Sequence, residues 1–520
     1  MKNNLIGIVL TATALLGIDL GAGSLKATVI ATANGAVLGV GAHPVRTQMP
    51  RTGWSEQDPL QWYQASCVAV KKALSQSNLE SNAIKGISIS AGAHIPVLLD
   101  KNDEVIRPAI MWNYQRSAEQ AKALYEKHGD LILEKSLNKV NPTWSLAMLH
   151  WLQEHEPENV TRVHRLCMAK DYLRMRLTGE WATDFGDVIG ALMGDANTRD
   201  WSSEICKLIG WSIDTLPRVK KATERGGAIS EDAARDTGLT KGTPVMVGSI
   251  DTSVELLGAG VVEAGQAAIK LATAGVLSLV ADKPLLQPPI SCYPHLVDDR
   301  YYLASGTNSC ASARQWARDQ FFTPESIAKD ETSADAFNEM DQLAQTVAPG
   351  SDGLLFHPYL QGERAPYWDP DLRADCIGLT MQHTRAHIAR AVYEGIAFSI
   401  RDLINDATDK GLEISSAHLI GGGARSAIWS QIMADVTKLE LTIPAQGDAS
   451  FGSALVAGIG IGEFTDTDDA IKRCVKIERV VEANTKTTAI YNDMYSIYRE
   501  AQQALTSINH KLAKLHSPSV

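Results

Sequence analysis

The stretch GIDLGAGSLKATVI at residues 17–30 has the pattern of two short strands joined by a glycine-rich turn. Apolar residues lead into the turn Gly21–Ser24, and apolar and β-branched residues follow it at 27–31. Asn34-Gly35 then predicts a tight hairpin before another apolar segment, residues 36–40. Three short strands joined by close turns predict an antiparallel meander at the start of a domain.

A similar layout returns in the second half of the chain, at residues 267–280, where two apolar segments flank the turn Ala272–Gly275. This echo indicates duplicated halves. A third turn, Gly421–Gly423, follows the short predicted strand 418–420 and precedes an amphipathic helix from Ala424 onward. Glycine lets backbone N–H groups approach a phosphate closely. One such turn is ordinary in any hairpin, but three in duplicated halves favour phosphate binding.

The rest of the chain carries further periodic segments. Apolar residues predict strands at 84–90 and 96–99, and they predict helices over 60–73 and 487–515. The apolar run 244–250 reads as a strand that ends at Asp251, and a helix is expected after it.

Composition limits the classes of protein. The chain has 520 residues, with 49 Lys+Arg against 60 Asp+Glu and a net charge of -11, which argues against nucleic acid as the main partner. The seven cysteines are widely spaced and form no CxxC motif, so neither a disulfide scaffold nor a thiolate zinc site is expected. No apolar run is long enough for a membrane-spanning helix. The length predicts two large domains or three smaller ones.

The first 16 residues have the shape of a secretory signal, with one lysine, an apolar run and a small-residue site at Ala12–Ala14. The run passes directly into the first predicted strand, however, and cleavage after Ala14 would leave that strand almost no lead-in. We therefore expect an N-terminal extension on a cytoplasmic protein.

Known phosphate-binding motifs are absent. The chain contains no GxxxxGKS or GxxxxGKT, no GxGxxG between a strand and a helix, and no HRD and DFG pair. A P-loop, a Rossmann dinucleotide site and a protein kinase are therefore excluded.

Two aspartates stand at predicted strand ends. Asp19 and Asp251 each lie in or just after an apolar strand, where an uncompensated charge is costly and usually functional. Structural alternatives exist for both: Asp251 as a helix N-cap, and Asp19 as a hydrogen-bond partner of its neighbouring turn.

The motif at 17–30 resembles the opening phosphate motif of the FGGY carbohydrate kinases. The similarity continues in order along most of the chain, and the segments at 358–370 and 421–436 are most similar to xylulokinases. The remaining matching segments are GWSEQDP (53–59), MWNYQRS (111–117), DYLRMRLTGEWATD (171–184), RDW (199–201), GSID (248–251) and HIARAVYEGIAF (387–398).

The resemblance implies an α/β fold: two ribonuclease H-like domains of the actin/hexokinase superfamily around a central cleft. It places an N-terminal extension at 1–16, a sugar-side domain at 17–258, a nucleotide-side domain at 259–505 and a tail at 506–520. ATP and Mg²⁺ are the implied cofactors. The implied reaction is phosphorylation of D-xylulose to D-xylulose 5-phosphate, and the sequence leaves a homodimer open.

The resemblance also assigns residues. Asp251 matches the catalytic base, and Asp19 with Asp251 matches the carboxylates around Mg²⁺. The sugar would meet His94, Trp112, Asn113 and Asp251. The nucleotide would meet Gly21, Ala22, Gly23, Ser24, Lys26, Thr273, Gln315, Gly422, Gly423 and Ala424.

Structural interpretations stand beside these assignments: His94 as a structural histidine, and Trp112 and Trp316 as core residues. The chain also departs from the family pattern, and such departures in a sugar pocket change which sugar is accepted. Another ketose, a polyol or a sugar acid therefore remains an alternative substrate. A degenerate sugar-binding regulator and an actin-like ATPase remain alternative functions. The departures are Gly92, Ala93, Tyr114, Met148, Ala272, Ala274 and Cys376.

Overall fold

The computed structural model describes residues 13–51, 53–112, 115–322 and 333–516. Asn113, Tyr114 and most of the expected N-terminal extension lie outside these ranges. Among the described residues, no helix combines the length and the hydrophobicity that a membrane crossing requires.

The first half of the chain builds a mixed sheet with helices against it. Its strands are β1 Ala14–Leu20, β2 Ser24–Ala31, β3 Val37–Pro44, β4 Glu56–Gln57, β5 Ile84–Ala91, β6 Pro96–Leu99, β7 Ala109–Ile110, β8 Arg165–Met168, β9 Ala182–Asp184, β10 Gly194–Asp195, β11 Asp200–Trp201, β12 Arg218–Lys220, β13 Arg225–Ala228, β14 Pro244–Met246 and β15 Ser249–Ile250. Its helices are α1 Pro59–Ser77, α2 Ala118–Ser136, α3 Ser145–His155, α4 Pro157–Val160, α5 Ala169–Thr178, α6 Phe185–Gly190, α7 Ser203–Leu208, α8 Glu231–Thr237 and α9 Asp251–Ala259.

The main sheet of this half has the order β13-β14-β5-β1-β2-β3, and β15 also pairs with β5. β1, β2 and β3 form the predicted antiparallel meander, and the Asn34-Gly35 hairpin joins the last two. Gly35 has φ +69°, a left-handed conformation that glycine adopts without strain. β5 runs parallel to β1 and to β15, so their carboxyl ends share one edge of the sheet.

The second half builds another sheet, with the order β18-β19-β17-β16-β22-β23-β24. Its strands are β16 Gln266–Leu271, β17 Gly275–Ala281, β18 Ser291–Pro294, β19 Tyr301–Gly306, β20 Leu355–His357, β21 Asp375–Ile377, β22 Ser416–Ile420, β23 Leu441–Pro444 and β24 Ile477–Val481. Its helices are α10 Ala311–Ala317, α11 Ser333–Gln345, α12 Arg385–Asp409, α13 Ala427–Thr437, α14 Ala449–Gly460, α15 Thr467–Cys474 and α16 Thr485–His516.

The repeated layout is confirmed. β16 pairs antiparallel with β17 and parallel with β22, as β1 pairs antiparallel with β2 and parallel with β5. Each half therefore presents a tight turn between its first two strands at the same end of its sheet.

Helix α14 belongs to the second half by sequence but packs on the sheet of the first. A Cβ atom on Gly17 in β1 would lie 1.8 Å from the carbonyl oxygen of Ser450, and one on Gly452 would lie 1.8 Å from that of Val254 in α9. Glycine at these positions thus permits close approach of α14 to β1 and to α9. The two halves meet through this pair of helices.

Several boundaries differ from the sequence expectations. The run 244–250 divides into β14 and β15 because Gly248 takes a left-handed φ of +78° between them. The helix expected from Ala424 begins at Ala427, after a short 3-10 turn at Gly422–Arg425. The expected domain limits at 16/17 and 505/506 fall inside β1 and α16.

Candidate active site

The edge where the parallel strands end brings the two predicted aspartates together. Asp19 in β1 lies opposite Ser90 in β5, and Ser249 in β15 lies opposite the same Ser90 from the other side. Asp251 directly follows β15. The two carboxylates therefore flank the end of β5.

Asp19 interacts with β5 and not with its neighbouring turn. The Ser90 hydroxyl donates a 2.8 Å hydrogen bond to Asp19 Oδ1. Burial of the carboxyl, and after it the negative charge of Asp251, raise the pKa of Asp19 to about 7. A cation beside Asp19 would stabilise the ionised form of this carboxyl group.

Asp251 is the first residue of α9, and Ile250 occupies the N-cap position. The alternative interpretation of Asp251 as a helix N-cap is therefore wrong. Asp251 Oδ1 accepts a 2.6 Å hydrogen bond from the Thr252 backbone N–H. Its second oxygen, Oδ2, lies 4.0 Å from where a Cβ on Gly92 would stand. This oxygen thus faces the space that the missing side chain at residue 92 leaves open.

A cavity of about 120 Å³ opens beside Asp251. Trp112 is 43% exposed there, so its ring lines the cavity and is not a core residue. The remaining lining residues are neutral: Leu20, Gly21, Ala22, Gly92, Ile95 and Met111.

A partly buried ion pair that sequence reasoning missed interacts electrostatically with the two aspartates. Lys270 in β16 donates a 2.7 Å hydrogen bond to Glu255 in α9. Burial by itself disfavours the charged ammonium, but Glu255 and then Asp251 outweigh it, so the pKa of Lys270 is raised. The pair joins the two halves through α9. No sequence signal marks it, because the two residues come from different elements.

His94 is held on both ring nitrogens. Nδ1 lies 2.5 Å from the Gly190 carbonyl oxygen, and the Tyr293 hydroxyl donates a 3.0 Å hydrogen bond to Nε2. The ring also stacks on Trp144, with centroids 4.1 Å apart. Burial lowers the pKa of His94 to about 4, so the imidazole is neutral and Nδ1 carries the proton that bonds Gly190.

This arrangement connects the two halves. Tyr293 lies on β18, in the second half, and it stacks in turn on Tyr302 with centroids 5.1 Å apart. Sequence analysis singled out His94 but neither Trp144 nor Tyr293. A direct hydrogen bond from Nε2 to a sugar hydroxyl would have to replace the bond from Tyr293.

Buried charges in the first half brace the backbone that carries Asp251. Lys170 lies within 2.9 Å of Asp184 and Asp187 and contacts Asp171 at 2.7 Å. Asp184 in turn accepts a 2.7 Å hydrogen bond from Ser249, two residues before Asp251. Arg174 donates to the Val247 carbonyl oxygen at 2.9 Å. The sequence analysis identified the DYLRMRLTGEWATD segment only as a match to the family and did not predict this network.

The first glycine turn is exposed at Ala22, Gly23 and Ser24. Lys26, just beyond it in β2, forms a 2.9 Å ion pair with Asp448. Asp448 is also the N-cap of α14, where its carboxylate accepts from the N–H groups of Ser450 and Phe451. The ammonium group of Lys26 thus lies at the junction of the two halves.

The second turn is tied to helix α10. Cys310 and Ala311 donate backbone N–H bonds to the carbonyl oxygens of Thr273 and Ala272, at 3.1 and 2.8 Å. This anchoring leaves the Thr273 side chain exposed. On α10, Gln315 is exposed, whereas Trp316 stacks on Phe356 at 6.2 Å, consistent with a core role.

The third turn packs against the end of β16. A Cβ on Gly421, which has φ +86°, would lie 2.7 Å from the Leu271 carbonyl oxygen. Gly422 is exposed, whereas Gly423 and Ala424 are buried. The turns at Thr273 and Gly422 therefore lie at the ends of neighbouring strands, β16 and β22.

The acidic edge also bears on metal binding. Among the described residues, no group of three or more His, Cys, Asp and Glu side chains is placed to hold a metal ion. Mg²⁺ commonly takes only one or two carboxylates and completes its shell with water and substrate phosphates. The pair Asp19 and Asp251 fits that coordination.

Two halves with the same strand layout, phosphate-type turns and a pair of carboxylates at the sheet edge of the first half define a phosphotransferase of the actin/hexokinase-like fold. Family models for the N-terminal and C-terminal domains of the FGGY family of carbohydrate kinases match residues 14–258 and 267–461. The chain belongs to this family and is a sugar phosphotransferase that uses ATP.

Three individual proteins illustrate the similarity. Xylulose kinase of Bacillus subtilis (strain 168) is 30% identical over 502 residues, 96% of this chain and 98% of that protein. Gluconokinase of the same strain is 29% identical over 461 residues, 88% and 89% of the two chains. The crystal structure of a "xyloylose kinase" from Brucella ovis has a TM-score of 0.84 at 30% identity, and the match covers 95% of this chain and 100% of that one. The chain is almost equally identical to a xylulose kinase and to a gluconokinase, so overall identity does not distinguish the sugar substrates. The residues that line the sugar pocket must do so.

Proposed function

We propose that this kinase transfers the γ-phosphoryl group of ATP to the terminal hydroxyl of D-xylulose, forming D-xylulose 5-phosphate. Xylulose kinases are among its relatives over nearly the whole chain. The observation that carries the choice of sugar is the neutral lining of the cavity beside Asp251.

The second candidate is a sugar acid, which the similarity to a gluconokinase favours. A carboxylate substrate is best recognised by a cationic side chain, most often arginine. Among the described residues that line the cavity, none is cationic. A neutral ketose therefore fits this lining better than an aldonate does.

Asp251 is the proposed general base. Its Oδ2 faces the cavity, so a sugar hydroxyl bound there can pass its proton to this oxygen as the hydroxyl oxygen attacks the γ-phosphorus in line. The Thr252 N–H holds the other oxygen and fixes the orientation of the carboxylate.

Asp19 and Asp251 would hold Mg²⁺, which neutralises charge on the phosphates when bound. The raised pKa of Asp19 supports this assignment, because a cation would relieve the repulsion from Asp251. The nucleotide would lie along the exposed faces of the three turns. His94, Trp112 and Asn113 are the proposed sugar-side contacts. Asn113 lies outside the described residues.

We also propose a cytoplasmic location. Ala14 is the first residue of β1 and pairs with Ala31, so cleavage after Ala14 would remove part of the first sheet strand.

A coupled ADP-release assay tests the substrate. Mg·ATP would be combined in turn with D-xylulose, other ketoses, polyols and gluconate, and the Asp251→Asn protein would be assayed in parallel. ADP release that depends on D-xylulose and is lost in the variant supports the proposal. Stimulation by gluconate alone would overturn the choice of sugar. No stimulation by any compound, together with measurable sugar binding, would favour the degenerate regulator.

A further inference from the structure

A second cavity, of about 560 Å³, has walls from both halves of the chain. The first half contributes Arg199 and the segment 219–224, and the second half contributes the segments 294–298 and 465–467. The volume falls within the roughly 300–1,000 Å³ of a typical small-molecule site. Among the residues that the structure describes, none lines both this cavity and the one beside Asp251. The second cavity is therefore a separate space that the proposed reaction does not use.

Arg199 lines this cavity from a strained backbone position. Its φ of +55° lies in the left-handed region, and strained residues of this kind cluster at ligand-binding and other functional sites. The guanidinium carbon lies 4.9 Å from the centre of the Phe185 ring. In the described part of the chain, no carboxylate lies within ion-pair distance of Arg199. The fold thus holds an uncompensated positive charge at the cavity, in the RDW segment that the proposed reaction leaves without a role.

Two lysines of the same half add to this charge. Lys220 donates a 3.1 Å hydrogen bond to a backbone carbonyl oxygen, and no carboxylate of the described residues pairs with it. Lys221 forms a 2.6 Å ion pair with Asp298 of the second half, and these side chains are 63% and 62% exposed. Exposed ion pairs contribute little. Lys221 can therefore exchange Asp298 for another anion at small cost.

The acidic residues around the cavity have partners within the chain. Asp184 accepts a 2.7 Å hydrogen bond from Ser249 and pairs with Lys170 at 2.9 Å. Glu224 accepts a 3.1 Å hydrogen bond from a backbone N–H, and Asp466 is the N-cap of α15. The charge that remains available for a ligand is therefore positive, and the cavity favours an anion.

The size and the polar lining of the cavity favour an organic anion. A phosphate ion alone would fill only a small part of the space. Guanidinium and ammonium groups bind phosphate oxygens through strong, charge-assisted hydrogen bonds. Thr223, Thr465 and Thr467 also line the cavity, and their hydroxyl groups can both donate and accept hydrogen bonds. This combination suits a phosphate group on a compound that carries hydroxyl groups.

We infer that the second cavity is a binding site for a small phosphate ester with hydroxyl groups, such as a sugar phosphate. The phosphate group would lie among Arg199, Lys220 and Lys221. The hydroxyl groups of the ligand would meet the segment 465–467 of the second half. This site is separate from the proposed active site, and it does not depend on which sugar the kinase phosphorylates.

Calorimetric titration of the full chain with glucose 6-phosphate tests the site. Excess Mg·ADP and D-xylulose are present, so that the proposed active site is occupied. The wild type should bind one equivalent with a Kd below about 1 mM. Inorganic phosphate lacks the hydroxyl groups, and citrate replaces the phosphate with carboxylates, so each should bind at least ~10-fold more weakly.

Substitutions of the free cations should weaken binding. Arg199→Gln and Lys220→Gln should each raise the Kd for glucose 6-phosphate at least ~10-fold, because each removes a charged hydrogen-bond donor. Arg218→Gln is the matched control: it removes the same charge from an exposed residue that does not line the cavity, and it should bind like wild type. Sugar-dependent ADP release in the absence of glucose 6-phosphate should stay at the wild-type level in every variant, which shows that the fold is retained.

The ion pair across the cavity supplies a test with the opposite sign. Asp298→Asn frees Lys221 for the ligand, so this variant should bind glucose 6-phosphate more tightly, by up to ~5-fold. A gain in affinity cannot come from misfolding.

Four results would overturn the inference. One is a wild type that does not bind glucose 6-phosphate at concentrations up to about 10 mM. Another is displacement of glucose 6-phosphate by Mg·ADP and D-xylulose, which would assign the binding to the active site. Equal losses in Arg199→Gln and Arg218→Gln would indicate non-specific attraction. Citrate or inorganic phosphate that binds as tightly would rule out a phosphate ester as the ligand.

Discussion

Asp19 and Asp251 lie on either side of β5, at the carboxyl ends of two strands that both run parallel to it. Burial, and next the charge of Asp251, raise the pKa of Asp19 to about 7. The close approach of two carboxylates is unfavourable unless a cation or a proton compensates it. This pair therefore motivates the first two predictions.

Replacing the proposed base should abolish most of the turnover. Asp251→Asn keeps the shape of the side chain but cannot accept the sugar proton, so kcat should fall by at least ~10²-fold, with little change in the KM for ATP. Asp214→Asn, at an exposed position, is the control and should behave like wild type. Turnover within a few-fold of wild type for Asp251→Asn would remove this residue from the proton transfer.

The raised pKa of Asp19 makes stability depend on pH. Because the folded carboxyl binds a proton more tightly than the unfolded one, its contribution is present at low pH and is lost as pH rises through about 7. The melting temperature of the metal-free protein should therefore fall from pH 5 to pH 8, and Asp19→Asn should flatten this dependence.

Mg²⁺ should oppose this loss. A bound cation favours the ionised carboxyl, so Mg²⁺ should raise the melting temperature more at pH 8 than at pH 6, and Asp19→Asn should remove the difference. Equal stabilisation of wild type and variant by Mg²⁺ at both pH values would place the metal elsewhere.

Substitutions at His94 and Tyr293 test whether His94 binds the sugar or only packs in the structure. His94→Ala should raise the KM for the sugar more than the KM for ATP, because His94 belongs to the loop whose residues Gly92 and Ile95 line the cavity of Asp251. Tyr293→Phe keeps the aromatic stack but releases His94 Nε2. If the sugar uses Nε2, this variant should bind the sugar as well as wild type or better. Parallel losses for sugar and ATP in both variants would instead identify a structural role.

Lys26 and Asp448 test the nucleotide side. If Lys26 exchanges Asp448 for phosphate oxygens when ATP binds, Lys26→Met should raise the KM for ATP by about 10-fold or more. Asp448→Asn keeps the helix cap and loses only a partly exposed ion pair, so its cost should stay within ~1 kcal/mol. Chemical denaturation measures that cost. An unchanged KM for ATP in Lys26→Met would mean that Lys26 does not bind ATP and only pairs with Asp448 between the two halves.

Gly92 should control the volume of the sugar cavity. A Cβ there would make only ordinary contacts, 3.7 Å to Ile95 and 3.8 Å to Trp112, so Gly92→Ala should keep near-normal kinetics. Gly92→Met would fill the space beside Asp251 and should raise the KM for the sugar at least ~10-fold without changing that for ATP. If both variants match wild type, the sugar binds outside this cavity.

Local patterns allowed much of the fold to be predicted. The meander at β1–β3, its repetition at β16–β17 and the long terminal helix all rest on short-range periodicity and turn residues, which act within one segment of chain. Asp19 and Asp251 could be singled out for the same reason, since a carboxylate at the end of an apolar strand is visible without knowing its neighbours. The sequence predicts a helix from Ala424, but the helix begins at Ala427 because the chain first forms a 3-10 turn.

Contacts between distant segments could not be predicted. Lys26 and Asp448, Lys270 and Glu255, and His94 and Tyr293 each join elements from the two halves of the chain. Their partners are set by how α9, α14 and β18 dock, and no periodic pattern encodes that docking.

The sequence by itself thus determined the two repeated meanders, the glycine turns and the carboxylates at the strand ends, because strand and turn preferences are local. Only the tertiary structure decided that both carboxylates flank one strand. It also decided that both nitrogens of His94 are bonded and that Lys26 meets Asp448 at the junction. These depend on long-range packing, in which burial and neighbouring charges set the chemistry of each group.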